Sequence, residues 1–203
     1  YAQDDGAGVK NAIRRTNLAT LEDEVIYKHG VSNLRMIKGE LFFIDGYQIY
    51  SMNLSSFATT EITPNGKSAH TTVFDTDGES IFYREMYNVV LRRLSRYELS
   101  SGKYVPMATD STDPVTIVYH SGYVYYYTDT TTAKNNGLYR VNSTSSSTDQ
   151  GTCVLACEST YYASTFTFVG NNIYFLNYIT GGLFGDSRIY EMSISGGTPV
   201  KVA

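Results

Sequence analysis

The sequence predicts an all-β chain: a β-propeller of four-stranded antiparallel blades, with four complete blades plus half of another. Two sequence markers recur in step at blade-sized intervals, and the composition suits short strands and turns rather than helices. Of 203 residues, 42% are hydrophobic, 19 are Tyr and 17 are Gly, against 4 Pro and no Trp. Such a chain is too apolar and too aromatic to remain disordered, and long enough to bury a good core.

The first marker reads Ile13-Arg-Arg-Thr-Asn-Leu18, Ile49-Tyr-Ser-Met-Asn-Leu54, Leu94-Ser-Arg-Tyr-Glu-Leu99, Leu138-Tyr-Arg-Val-Asn-Ser143 and Ile189-Tyr-Glu-Met-Ser-Ile194. Each copy opens on Leu or Ile, nearly always ends on an aliphatic, and is followed by small turn residues. The second marker precedes four of these copies: Leu41-Phe-Phe-Ile44, Ile81-Phe-Tyr-Arg84, Val124-Tyr-Tyr-Tyr127 and Ile173-Tyr-Phe-Leu176. A glycine stands two or three residues ahead of each, at Gly39, Gly78, Gly122 and Gly170.

Each cycle divides into four strands. The first precedes the glycine, as in 115–120 or 165–169. The second is the aromatic run. The third is the Ile/Leu-Tyr-Arg segment. The fourth is a short apolar stretch: Glu61–Thr63, Tyr104–Met107, Cys153–Ala156 or Val200–Val202. Asp-Gly and Ser-Gly pairs supply hairpin chemistry between strands. The aromatic runs are continuous rather than alternating, which fits second strands buried on both faces between neighbouring blades. The predicted divisions are a partial blade at 1–30 and blades at 31–66, 67–112, 113–158 and 159–203. Tyr1 aligns with the end of a second strand, so the chain is expected to be a fragment of a propeller with six or more blades.

The blade form Gly-x-x-Ile-Tyr-Tyr…Leu-Tyr-Arg-x-x-x-(Asp/Ser)-Gly resembles the YWTD-type propellers of low-density-lipoprotein-receptor proteins. It is more similar still to a bacterial family of propeller domains related to them. The copy nearest to the tetrad is Tyr126-Tyr127-Thr128-Asp129. The resemblance covers the whole chain and implies the propeller fold.

Composition excludes several function classes. The net charge is −4 and no Lys/Arg-rich stretch could track a phosphate backbone, so nucleic acid is not an expected partner. No run approaches the roughly 18 apolar residues of a membrane span. Tyr1 opens directly into polar, Gly-rich sequence without the pattern of a leader. Cys153 and Cys157, on one strand, would lie about 13 Å apart, too far for a disulfide. Their spacing also differs from a zinc knuckle, and no metal or other cofactor is expected. Asp75-Thr-Asp77-Gly78-Glu79 starts like a calcium loop but carries Met86 where the twelfth-position Glu is required; a hairpin turn accounts for it. His29, His70 and His120 fall near strand ends and read as structural. Arg15, Arg96 and Arg140 share the third position of the first marker, with Ser51 and Glu191 in the other copies; these arginines are expected to pair with neighbouring blades.

No nucleophile elbow, P-loop or dinucleotide fingerprint is present, so no catalytic residue is assigned. Function is expected on the rim where second-to-third connections emerge. These are long at 2–12, 85–92, 129–137 and 177–188, against the tight Asp45-Gly46-Tyr47. Candidate ligand-binding residues there are Tyr87, Asp129, Lys134, Tyr178, Leu183, Phe184, Asp186 and Arg188. The opposite rim has one long connection, 143–151, read as a flexible Ser/Thr-rich tip. The expected function is a non-catalytic extracellular or cell-surface module binding a protein or carbohydrate ligand. The alternatives are a glycan-active enzyme or its accessory domain, with Glu85, Asp129 and Asp186 as available carboxylates, and a structural spacer. Further blades of the same full-length chain are a possible partner.

Overall fold

The computed structural model describes residues 2–3, 12–63, 68–86, 92–107, 113–128, 136–146, 149–156, 163, 165–179 and 186–202. Among them there is no helix. A three-stranded sheet, the partial blade, holds β1 (Ala2–Gln3), β2 (Ala12–Thr16) and β3 (Asp23–Tyr27). Four antiparallel four-stranded sheets follow, each with its strands in sequence order. Blade one is β4 (Val31–Ile37), β5 (Glu40–Asp45), β6 (Gln48–Asn53) and β7 (Thr59–Glu61). Blade two is β8 (Ser68–Thr76), β9 (Ser80–Met86), β10 (Arg92–Glu98) and β11 (Tyr104–Pro106). Blade three is β12 (Pro114–His120), β13 (Tyr123–Thr128), β14 (Gly137–Asn142) and β15 (Thr152–Ala156). Blade four is β16 (Phe166–Val169), β17 (Asn172–Ile179), β18 (Asp186–Ser193) and β19 (Val200–Lys201).

The aromatic runs are the second strands, and in blades one to three both of their faces are buried. Alternate residues of one run serve two different cores. Leu41 and Phe43 pack with Ile13 and Met52 against the partial blade, whereas Phe42 and Ile44 pack with Ile81 and Tyr83 of blade two. Phe82 then joins Val124 and Tyr126 between blades two and three, and Tyr125 and Tyr127 join Ile173 and Phe175 between blades three and four. The period-2 geometry of a strand thus becomes a seam on each side of blades one to three. Rings meet across the seams: Tyr27 and Phe43 at 4.8 Å, Phe82 and Tyr119 at 5.7 Å, Tyr125 and Phe168 at 4.6 Å.

The recurrent glycines close the first-to-second hairpins. Gly39 and Gly122 have φ of 81° and 83°, and each follows a residue that is itself at positive φ, Lys38 or Ser121. Two consecutive left-handed residues make the hairpin turn that matches strand twist. The fifth marker position caps the third-to-fourth turn. Asn17 Oδ1 accepts from the amides of Ala19 and Thr20, Asn53 Oδ1 from those of Ser55 and Ser56, and Asn142 Oδ1 from that of Thr144.

First strands of successive sheets touch at the inner edge. Asn33 Nδ2 donates to Phe74 O, and Asp75 accepts from Arg35 of blade one and from the Tyr119 amide of blade three. Asp75 therefore ties three blades together. Asp77 Oδ1 accepts from the Glu79 and Ser80 amides, so the Asp-Gly segment is a hairpin turn, as expected.

Several boundaries differ from the sequence expectation. The fourth strand of blade one is Thr59–Glu61 rather than 61–63, because Thr63 Oγ1 instead caps the Ile49 amide. Ala2 and Gln3 are not loop but pair with Ile13 and Ala12. β9 runs on to Met86, and β17 and β18 extend to Ile179 and from Asp186, shortening the connections read there. The described residues of the 143–151 tip are tied down. Ser145 is buried, and Asp149 Oδ2 accepts from the Ser146 amide.

Two stability outcomes follow from this packing. Phe43→Ala should lower the unfolding free energy by about 3–5 kcal/mol in urea titrations. Leu21, three-quarters exposed at φ 60°, sits where only glycine is unstrained; Leu21→Gly should raise it by up to about 1 kcal/mol.

Candidate functional site

Two rims follow from the strand order. Second-to-third and fourth-to-first connections emerge on the upper rim; first-to-second hairpins and third-to-fourth turns emerge on the lower. Of the sequence-predicted rim residues, Tyr87, Asp129, Lys134, Leu183 and Phe184 lie outside the described residues. Tyr178 and Asp186 do not stand in a loop: they belong to β17 and β18, paired with Ser187 and Ile179. Arg188, opposite Asn177, is half-buried. These three lie at the upper end of one strand pair, and the expected twelve-residue loop shrinks to 180–185.

The described part of the upper rim carries a dense polar assembly on blade two. Glu85 and Arg93 are directly opposite in the ladder and so share a face, the one turned to blade one. Glu85 is fully buried, and its Oε2 accepts from Arg93 Nε at 2.8 Å, from Ser95 Oγ at 2.8 Å and from the Tyr104 hydroxyl. Burial alone would push the Glu85 carboxyl up, but the bonds from Arg93, Tyr104 and Ser95 outweigh it and hold the group below its ordinary range. Burial, then the bond to Glu85, pushes the Tyr104 hydroxyl up to about 12. On the opposite face Arg84 and Arg92 converge on Asp113 at 3.2 and 3.0 Å, and Arg84 also donates to Pro114 O. This second group fastens blade two to the first strand of blade three.

Nearby, Tyr27 donates to Asp45 at 2.7 Å, and His29 Nδ1 lies 3.3 Å from the same carboxylate. His120 stacks on Phe168 at 4.3 Å and faces Gly170 O. These two histidines occupy structural positions. Among the described residues no group of three or more His, Cys, Asp or Glu is placed to hold a metal ion. Cys153 is exposed on β15.

Two cavities among the described residues lie on the lower rim, to which the sequence reading gave no binding role. One, of about 580 Å³, is lined by Arg15, Thr16, Asn17 and residues 22–24. Its charges are already committed, Arg14 to Asp23 and Arg15 to Glu24. The other, of about 640 Å³, opens between blades one and two. Phe42, Ile37 and Leu99 contribute apolar surface, and Lys38, Glu40, Glu79 and Ser100 contribute polar groups. Lys38 Nζ lies 3.6 Å from Glu79, and the lysine stem crosses Gly78 so closely that a Cβ there would fall 3.0 Å from it.

No protein-family model matches the chain, and no curated protein matches it. Solved structures do. A prolyl endopeptidase is similar over 99% of this chain and 33% of that chain, with TM-score 0.70 and 11% identity. The extracellular domain of the hybrid two component system BT4673 from B. thetaiotaomicron is similar over 89% and 24%, with TM-score 0.60 and 12% identity. The N-terminal domain of Nup159 is similar over 89% and 48%, with TM-score 0.55 and 10% identity. The chain spans between about a quarter and a half of these proteins. At such identities the likeness establishes the fold, a β-propeller, and nothing about activity.

The Glu85 cluster gives a pH signature. A carboxyl whose folded value lies below its unfolded value of about 4.5 stabilises above that pH, and the contribution is lost as pH falls through the folded value. The stability gap between wild type and Glu85→Gln should therefore be constant from about pH 6 to 8 and narrow below about pH 4.5. Urea titrations at each pH measure it.

Proposed function

We propose that this chain is a single β-propeller domain, or part of one with six or more blades, serving as a non-catalytic binding or scaffold module. Kinship with YWTD-type propellers and an extracellular or cell-surface location belong to the same reading. It recognises carbohydrate or protein through the upper rim, at Tyr87, Asp129, Lys134, Tyr178, Leu183, Phe184, Asp186 and Arg188.

The observation that carries the non-catalytic reading is the engagement of Glu85. Of the three carboxylates that an enzymatic reading would use, Asp129 lies outside the described residues and Asp186 opens β18, whereas Glu85 is fully buried. Three donors of its own blade hold it in the seam with blade one, which supports a structural role for it. Aromatic and polar residues at a rim are the usual means of gripping a sugar ring or an extended peptide. Nup159 appears in a structure with Dbp5, a case of a similar fold meeting a protein partner.

The outer face of blade four supports further blades. The opening residue of the first marker is buried in every other copy, with Ile13 and Ile49 at 1% exposure and Leu94 and Leu138 at 0%. In blade four the same position, Ile189, is 43% exposed, beside exposed Val200 and Val202. A following sheet would cover it.

Glycan arrays and pull-downs from cell-wall fractions test the binding reading. The double variant Tyr178→Ala, Phe184→Ala should lose the captured ligand while its melting temperature stays within about 2 °C of wild type. Retained binding would refute the assignment of the rim.

A further inference from the structure

We propose that the lower-rim groove between blades one and two is a receptor slot for a guanidinium group, presented as an arginine side chain by a peptide segment of a partner protein. This site stands apart from the upper-rim reading above.

The inference starts from the third position of the five-copy marker, which reads Arg15, Ser51, Arg96, Arg140 and Glu191. Residues directly opposite in an antiparallel ladder share a face. Arg96 is opposite Phe82, which faces blade three; Arg140 is opposite Tyr125, which faces blade four. Each arginine therefore lies in the seam ahead of its own blade, and each does the same thing there. Arg96 Nη1 donates to Ser143 O at 2.5 Å, and Arg140 Nη1 donates to Ile194 O at 2.9 Å. Ser143 and Ile194 are the sixth residues of the next copy of the marker. The rule in these two seams is a guanidinium that runs from position three of one blade to the position-six carbonyl of the following blade. Arg15 lies in the seam before blade one, 4.9 Å over the Phe57 ring.

Blade one breaks the rule. Ser51 is opposite Phe42, which faces blade two, so its hydroxymethyl group stands where an arginine stands elsewhere. The position-six residue of the following copy is Leu99. Phe42 and Leu99 both line the 640 Å³ groove. The groove thus adjoins Ser51 through its ladder partner Phe42 and reaches Leu99, along the line that a position-three guanidinium takes in the next two seams.

Its chemistry suits a cation. Glu40 and Glu79 line it against one lysine, Lys38, leaving an excess of one negative charge. A planar guanidinium can donate to a backbone carbonyl and a carboxylate together, which an ammonium does less well. The volume lies within the range of ligand clefts and exceeds one side chain. The apolar surface of Ile37, Phe42 and Leu99 is left for the residues flanking the arginine, which is why a peptide segment is the occupant.

The test uses the 203-residue chain, N-acetyl-arginine amide and N-acetyl-lysine amide as probes, and amide chemical shifts as the readout. The arginine probe should give saturable shifts at Ser51, Glu79 and Leu99 and bind at least about threefold more tightly than the lysine probe. Ser51→Arg should supply the guanidinium from within, weakening probe binding about tenfold or more and raising the melting temperature. Glu40→Gln, a surface change that leaves the seam intact, should weaken it several-fold. Absence of saturable shifts, equal affinity for the two probes, or unchanged binding in Ser51→Arg or in Glu40→Gln would overturn the proposal.

Discussion

Burial of the second strand on both of its faces, complete in blades one to three, is the constraint on which the rest of this structure depends. A sheet sandwiched between two others cannot use alternation to separate core from solvent. Both sets of side chains must be apolar, and successive residues answer to different neighbours. Phe42 and Phe43 are adjacent in sequence yet belong to different cores, as do Tyr125 and Tyr126. Charged groups in the seams have partners supplied. Glu85 has Arg93, Ser95 and Tyr104; Arg96 and Arg140 have carbonyls of the following blade. The repeat period, the aromatic runs and the arginine positions are consequences of one packing arrangement.

Much of this was legible in the sequence because it is periodic. Glycines at the first-to-second hairpins, Asn17, Asn53 and Asn142 at the third-to-fourth turns, and the apolar opening of each third strand recur for local reasons that need no tertiary information. The pairing of arginines with neighbouring blades was legible for the same reason. Features that break the period were not. The first strands of blades one to three carry register shifts, one of them at Asn33 with φ 50°, and a bulge has no reliable marker in one copy. The ends of β17 and β18 were read as loop because Tyr178 and Asp186 suit a loop and an edge-extended hairpin equally. Glu85 read as a rim carboxylate because its burial depends on Arg93 and Tyr104, which lie eight and nineteen residues away.

The two rims divide the functional question. Upper-rim readings rest on connections and strand ends, where fold likeness gives no guidance, since propellers of similar shape occur in a prolyl endopeptidase and in the N-terminal domain of Nup159 alike. The lower-rim groove rests on an internal comparison: one position examined in several settings of the same chain. Equivalent positions calibrate each other: Arg15, Arg96 and Arg140 set the pattern from which Ser51 and Glu191 depart.

Double-mutant cycles across the seams test the stacked-blade account most directly. Phe82 with Tyr119, and Tyr125 with Phe168, join second strands to first strands of neighbouring blades. Each pair, mutated to alanine singly and together, should show a coupling of about 0.5–1.5 kcal/mol in urea unfolding. Phe43 with Phe82, which serve different seams, should be additive to within about 0.5 kcal/mol. Additivity in the two ring pairs would contradict the account.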